Sequence, residues 1–217
     1  MRQIKAVIRY NFMGFYKKPK VILTFLLGFI LCFLLSSRIM PVIQAYKSPV
    51  QMLEPFLWTF GDTTAILLSS VLLLLLFSDL PVLSAITPYY LCRTTKKRWL
   101  FGQLFYVAAV SGIYTVFMLG ATMILCAKVG YPGNIWSNTA AMLAYSKLGE
   151  DLNIPSTVKV MESVTPYGCT AQVILLLFLY ILCLSFIVLA GNLLPGKNRG
   201  LVAGLLFCLY GFLLEPK

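Results

Sequence analysis

No histidine occurs in this 217-residue chain, and only seven acidic residues stand against 18 basic ones. Without histidine, the side chain that most often serves as general base and metal ligand is missing. Ser-His proteolytic pairs and HExxH zinc sites cannot be built. The six cysteines are Cys32, Cys92, Cys126, Cys169, Cys183 and Cys208, and none has metal-ligand spacing. A glycine-rich phosphate-binding loop is also absent, so no ATPase is internal to the chain. Charged residues make up 12% of the sequence, about half of what a soluble domain carries. These absences point away from an enzyme and away from a water-soluble protein, with no cofactor or metal bound by the chain itself.

What fills the sequence instead is apolar. Five stretches stand out: Val21–Ser37, Thr63–Phe77, Phe101–Cys126, Thr170–Ala190 and Leu201–Leu214. A membrane-spanning helix needs about 20 such residues. Flanking residues lengthen the shorter stretches, giving expected spans at about 21–40, 57–78, 101–127, 169–190 and 200–214. In the second, Phe56-Leu57-Trp58 serve as the extension; in the first, Arg38 snorkels. Pro81 marks the second span's far end. The first span is not a cleaved signal peptide, because its basic leader is long and no small-x-small site follows Ser37.

Charge sorts by side. With the N-terminus inside, the inner segments hold Arg2, Lys5, Arg9, Lys17, Lys18, Lys20, Arg93, Lys96, Lys97, Arg98, Lys197 and Arg199. Their only acid is Asp79, so the inner net charge is +11, and the outer segments balance to zero. The positive-inside rule gives this partition for an integral membrane protein with a cytoplasmic N-terminus. Lysines interleaved with apolar spans do not make a nucleic-acid face. The fold class expected is an all-α integral membrane protein with an interfacial N-terminal helix and five transmembrane helices in a single domain. An unpaired fifth helix further suggests a sixth span in the complete protein.

The soluble parts carry the finer signals. In residues 1–20, Ile4, Val7, Ile8, Phe12 and Phe15 recur on one helical face, and Arg2, Lys5 and Arg9 on another. That is a basic amphipathic helix suited to the inner headgroup level. The segment 79–100 contains Pro88, Tyr89, Tyr90, Arg93, Lys96, Lys97 and Arg98, with Arg93, Lys96 and Lys97 spaced to share a helix face. Asp79 at a span's end needs a cation, for which Arg2, Lys5, Arg9 and Arg93 are the candidates. The outer loop, 128–168, has balanced charge and a helical stretch, Asn138–Leu148, but is too short for an independent domain. Cys126 and Cys169 flank it, where a disulfide is geometrically conceivable. Ala108 and Gly112, and Gly200 and Gly204, are small pairs four apart that let helices approach closely.

No apolar stretch holds Asp, Glu, Lys, Arg or His. Ion-coupled transporters and intramembrane proteases need such groups near the midplane. Any movement of cargo would therefore draw its energy from a partner. The order of elements resembles the permease subunit of type-2 ATP-binding-cassette exporters. The basic amphipathic helix leads into the first span, and the stretch Arg93-Thr94-Thr95-Lys96-Lys97-Arg98-Trp99-Leu100-Phe101-Gly102-Gln103 runs into the third. The resemblance implies a connecting helix at 1–20 and a coupling helix near Pro88–Arg98 that docks on a separate ATPase. It also implies ATP and Mg on that partner, a second permease chain, surrounding membrane lipids, and a bacterial cell-membrane location. Aromatic spans with Tyr106, Tyr114, Tyr180 and Tyr210 suit a lipid-like, drug-like or peptide cargo. Two other classes remain open. One is an accessory or immunity membrane protein; the other is a membrane enzyme whose catalytic residues lie in a missing C-terminal part.

The topology has a direct check. With the native cysteines replaced, an impermeant thiol reagent applied to intact cells should label K147C and leave K197C unlabelled. The reverse pattern would overturn the orientation.

Overall fold

The computed structural model describes residues 2–13, 15–82, 95–146, 149, 154, 158–194 and 198–214. Most of them are helical. The helices are α1 (Arg2–Phe12), α2 (Pro19–Tyr46), α3 (Glu54–Gly61), α4 (Thr63–Phe77), α5 (Lys96–Cys126), α6 (Asn138–Tyr145), α7 (Val158–Ser163), α8 (Pro166–Leu193) and α9 (Arg199–Leu213). Two residue pairs, β1 (Val50–Gln51) and β2 (Gly130–Tyr131), join as a minimal parallel ladder.

Three helices, α2, α5 and α8, are long and apolar enough to cross a membrane. Their 28, 31 and 28 residues give about 42 to 47 Å of helix, beyond the roughly 30 Å of hydrocarbon. Outward-facing side chains such as Ile22, Leu26 and Phe33 on α2 and Leu175, Leu176 and Leu179 on α8 are large and exposed. So much exposed apolar surface suits contact with lipid rather than water.

The second expected span differs. Phe56-Leu57-Trp58 do not extend α4, because α3 turns away from it by 84°. The cause is Asp62, whose extended backbone (φ −83°, ψ 119°) ends α3. Its Oδ1 then accepts a hydrogen bond from Thr64 N at 3.1 Å, satisfying a first-turn donor of a new helix. The pair counts as one broken span at most, and α9 has 15 residues, about 22 Å, too short for the hydrocarbon core without help. The inner segment expected to form a helix from Pro88 lies mostly outside the described residues; α5 starts at Lys96.

Contacts divide the chain into two compact units: Met1–Leu26 with Ser70–Tyr114 and Phe178–Lys217, and Leu27–Ser69 with Thr115–Leu177. In the first unit, α9 lies close against α8. A Cβ on Gly200 would run into the Val188 carbonyl and the Asn192 side chain, and one on Gly191 into the Gly200 backbone. One on Gly204 would meet Leu74 Cδ2 at 2.5 Å and Val188 Cγ2 at 3.1 Å. Asn192 seals this junction. Its Nδ2 donates to Leu80 O at 2.6 Å, and its Oδ1 accepts from Gly200 N at 3.0 Å, one of the N-terminal donors of α9. Gly112 is different: a Cβ there would meet only Phe178, at an ordinary 3.9 Å.

The second unit is built around Ile39, Ile43, Val50, Trp58, Ala140, Leu143 and Ile154. The loop after α5 therefore folds onto the segment between α2 and α3 rather than standing alone. Trp136 Nε1 donates to Val164 O at 2.9 Å, and Asn134 Oδ1 accepts from Tyr167 N at 3.1 Å in the first turn of α8. Cys126 is buried and Cys169 half-buried, and both are free thiols rather than a disulfide.

The glycine contacts predict a graded mutational series. G200A and G191A should each cost about 1–3 kcal/mol, because backbone rather than a flexible side chain must move. G112A should be nearly neutral. Thermal unfolding of the purified protein in detergent measures this; equal midpoints for G200A and G112A would contradict the packing.

Candidate functional site

Two polar clusters outside the apolar helix middles are the candidates. The first belongs to the first unit and begins with α1. Its exposed side carries Lys5 and Arg9, while Val7 and Asn11 are buried. Their i, i+4 spacing puts them on one face, which rests on α5. Gly102 permits the approach, since a Cβ there would lie 2.6 Å from Val7 Cγ1. Beside it, Asn11 Nδ2 donates to Gln103 Oε1 at 3.1 Å, both side chains being buried. Gln103 Nε2 has no partner among the described residues. Phe12 and Phe15 close over Tyr106 edge-on, with ring centroids 5.0 and 6.3 Å away. The apolar stripe legible in the sequence is thus used partly against protein. Asn11, a polar residue within that stripe, makes the specific contact.

Asp79 pairs with Lys20, Nζ to Oδ1 at 2.6 Å. This corrects the expectation of Arg2, Lys5, Arg9 or Arg93. The reason is helix placement: Thr24 Oγ1 donates to Leu72 O at 3.4 Å, holding the start of α2 beside the end of α4. Lys20 one turn earlier then reaches Asp79, and also Ser78 Oγ at 3.0 Å. Both charges remain about half exposed, so the pair contributes about 0–1 kcal/mol. Lys5 and Arg9 point outward. The Arg2 side chain and Pro88, Tyr89, Tyr90 and Arg93 lie outside the described residues. Lys96, Lys97 and Arg98 are exposed in the first turn of α5, which contains no acid. Ala108 and Gly112 are half-buried on α5.

The second cluster belongs to the second unit and centres on Glu54. This carboxylate is fully buried in the first turn of α3. Its Oε1 accepts from Ser137 N at 2.8 Å, and its Oε2 from Ser137 Oγ at 2.6 Å and Gln51 N at 3.2 Å. Gln51 Oε1 in turn accepts from Glu54 N at 3.1 Å and Leu53 N at 2.8 Å. Gln51 and Glu54, three apart, thus exchange bonds as in a capping box. Ser137 Oγ accepts from Ala140 N at 3.0 Å and so caps α6. One carboxylate therefore orders two helix starts that are 83 residues apart. Nearby, Arg38 Nη1 stands 3.9 Å from Asp62 Oδ2, an acid 7% exposed.

Burial pushes the Glu54 carboxyl above its ordinary value, against the pull of the Ser137 and Gln51 donors. The folded state then holds this proton more tightly than the unfolded state. The associated stability is complete below the ordinary carboxylate value of 4.5 and is lost as pH rises through the higher folded value. Unfolding midpoints should accordingly fall as pH is raised from 4.5 toward neutrality, and E54Q should flatten that slope. S137A, which removes a cap and a donor to a carboxylate, should cost about 1–3 kcal/mol at neutral pH. An unchanged slope in E54Q would assign the pH dependence to another group.

No family model matches this chain, and no curated protein or solved structure matches it.

Proposed function

We propose that this chain is the permease subunit of an ATP-binding-cassette exporter, forming part of a translocation pathway and driven by a separate ATPase. The observation that carries the reading is the fastening of α1 to α5 through Asn11, Gln103, Val7 and Gly102. These contacts sit one to two turns beyond Lys96, Lys97 and Arg98. A basic segment that leads directly into a long apolar helix, with a basic amphipathic helix locked beside it, is a suitable lever for an external motor.

The charge placement supports the same reading. Three cations in the first turn of a helix oppose its dipole, costing about 0.3–1 kcal/mol each. Local helix stability does not account for them; membrane orientation and a docking partner do. In this reading the N-terminus is cytoplasmic, and the lever lies at the inner face of a bacterial cell membrane. In the same reading the chain crosses five times, the second crossing at about 57–78 and the fifth through the short α9. ATP and Mg belong to the partner, and a second permease chain completes the pathway. The chain itself performs no chemistry.

Reversal of charge tests the coupling. The triple variant R93E, K96E, K97E should still insert, because Lys17, Lys18 and Lys20 preserve the inner bias. It should lose co-purification with the ATPase that this reading requires, through a faster off-rate. Normal insertion together with an intact, fully coupled complex would reduce the segment to a topology signal.

A further inference from the structure

The loop between α5 and α8 carries its charge unevenly. No charged residue stands between Lys128 and Lys147, whereas Lys147, Glu150, Asp151, Lys159 and Glu162 follow in close succession. The uncharged part opens with a closed turn, which belongs to the second unit. Tyr131 Oη donates to Ile135 O at 2.8 Å, and a Cβ on Gly133 would lie 2.8 Å from the Tyr131 ring. The turn therefore packs on its own aromatic side chain and presents Ile135 outward, 74% exposed.

A single exposed isoleucine is ordinary on a soluble surface. What distinguishes this one is its level. Asn134 Oδ1 holds Tyr167 N, and Trp136 Nε1 holds Val164 O, so the turn is clasped on both sides of Ile135 to the entry of α8. Tyr167 precedes Thr170, where the apolar run of α8 begins, by about 4.5 Å of helical rise. The headgroup region on each side of the hydrocarbon is about 5–8 Å thick. The turn falls within that layer. Tyr167 is 45% exposed, and Ala171 and Leu175 follow it at intervals of four, both exposed. Tyr167 thus heads the stripe of α8 that faces lipid.

We propose that the turn 131–135, with Trp136 and Tyr167, docks this loop into the headgroup layer of the bilayer, with Ile135 reaching the acyl boundary. Indole and phenol rings suit that level, apolar at one end and wet at the other. Lipid is the occupant because the surface continues the exposed apolar stripe of α8 and carries no charge. Lys159 and Glu162, exposed on α7, mark the side turned to water. Ser137, which holds Glu54, comes two residues after Ile135, so the same anchor keeps the Glu54 junction at the membrane surface. The proposal rests on the chain residing in a membrane and not on the transport reading.

Fluorescence of the full chain in phosphatidylcholine nanodiscs tests this. In a background without native cysteines, I135C carries a nitrobenzoxadiazole label, with K159C as the water-facing reference and L176C as the lipid-facing one. The label at I135C should emit at shorter wavelength than that at K159C. It should also be quenched by phosphatidylcholine bearing a nitroxide high on its acyl chain, and should lose most of the iodide quenching seen at K159C. A label at I135C that matches K159C in all three readouts would overturn the anchor. Protection from iodide without quenching by the nitroxide lipid would overturn it in favour of a protein contact. If L176C were also open to iodide, the membrane reading would fall with it. Because the side chain at 135 is exposed, I135C should keep the wild-type circular dichroism spectrum. If it does not, Y167C decides by the same comparison, since it lies at the same level and keeps the backbone amide that Asn134 holds.

Discussion

Hydrocarbon offers no hydrogen-bond partner, and this constraint governs where polarity is placed in the chain. Inside the long helices several hydroxyls close on their own backbones. Ser111 Oγ donates to Val107 O at 2.8 Å, Thr170 Oγ1 to Pro166 O at 2.8 Å, and Ser185 Oγ to Leu182 O at 2.9 Å. Ser70 Oγ instead meets Tyr180 OH at 2.7 Å, linking α4 to α8. Helices satisfied in this way hold together mainly by packing, since an interhelical hydrogen bond in a membrane is worth only about 0.6 kcal/mol on average. Close glycine contacts such as Gly200 on α8 and Gly204 on Leu74 then matter more than they would in water.

The same constraint explains why the specific contacts lie near helix ends. Asn192 satisfies the carbonyl of Leu80 and the amide of Gly200 where α4 has ended and α9 begins. Glu54 and Ser137 do the equivalent for α3 and α6. Each joins segments far apart in sequence by supplying what a helix terminus lacks. The chain's specificity is therefore concentrated in a few asparagines and glutamines and in buried acids such as Glu54, although these are a small minority of its residues.

That concentration also sets what the sequence could reveal. Helical character, the three long helices and the amphipathic α1 were legible, because periodicity and long apolar runs are local properties. The break at Asp62 was less so: an apolar run reads as continuous until one aspartate, set between Gly61 and Thr63, ends one helix and caps the next. Lys20 does not stand out in the sequence as Asp79's partner, because charge there sorts by segment, whereas pairing depends on which helix ends adjoin. Gln51, Glu54 and Ser137 read singly as ordinary polar residues. Their meeting across 83 residues is tertiary and leaves no periodic trace. The Asn11–Gln103 pair was hidden for a related reason, since each residue alone looks like a polar exception in an apolar pattern.

Unequal strengths among these contacts give the first unit a mechanical order. A push on the basic start of α5 would reach Gln103 and Gly102 within two turns. There the buried amide pair and the Val7 contact resist separation, because opening them exposes polar groups to an apolar surround or leaves a void. The Lys20–Asp79 pair is half exposed and yields at little cost, with water ready to replace it. Under load, α1 should therefore travel with α5 while the start of α2 and the end of α4 part company. If the chain is driven by an external motor, the exposed ion pair is where motion begins and the buried amide pair is what carries it to α1.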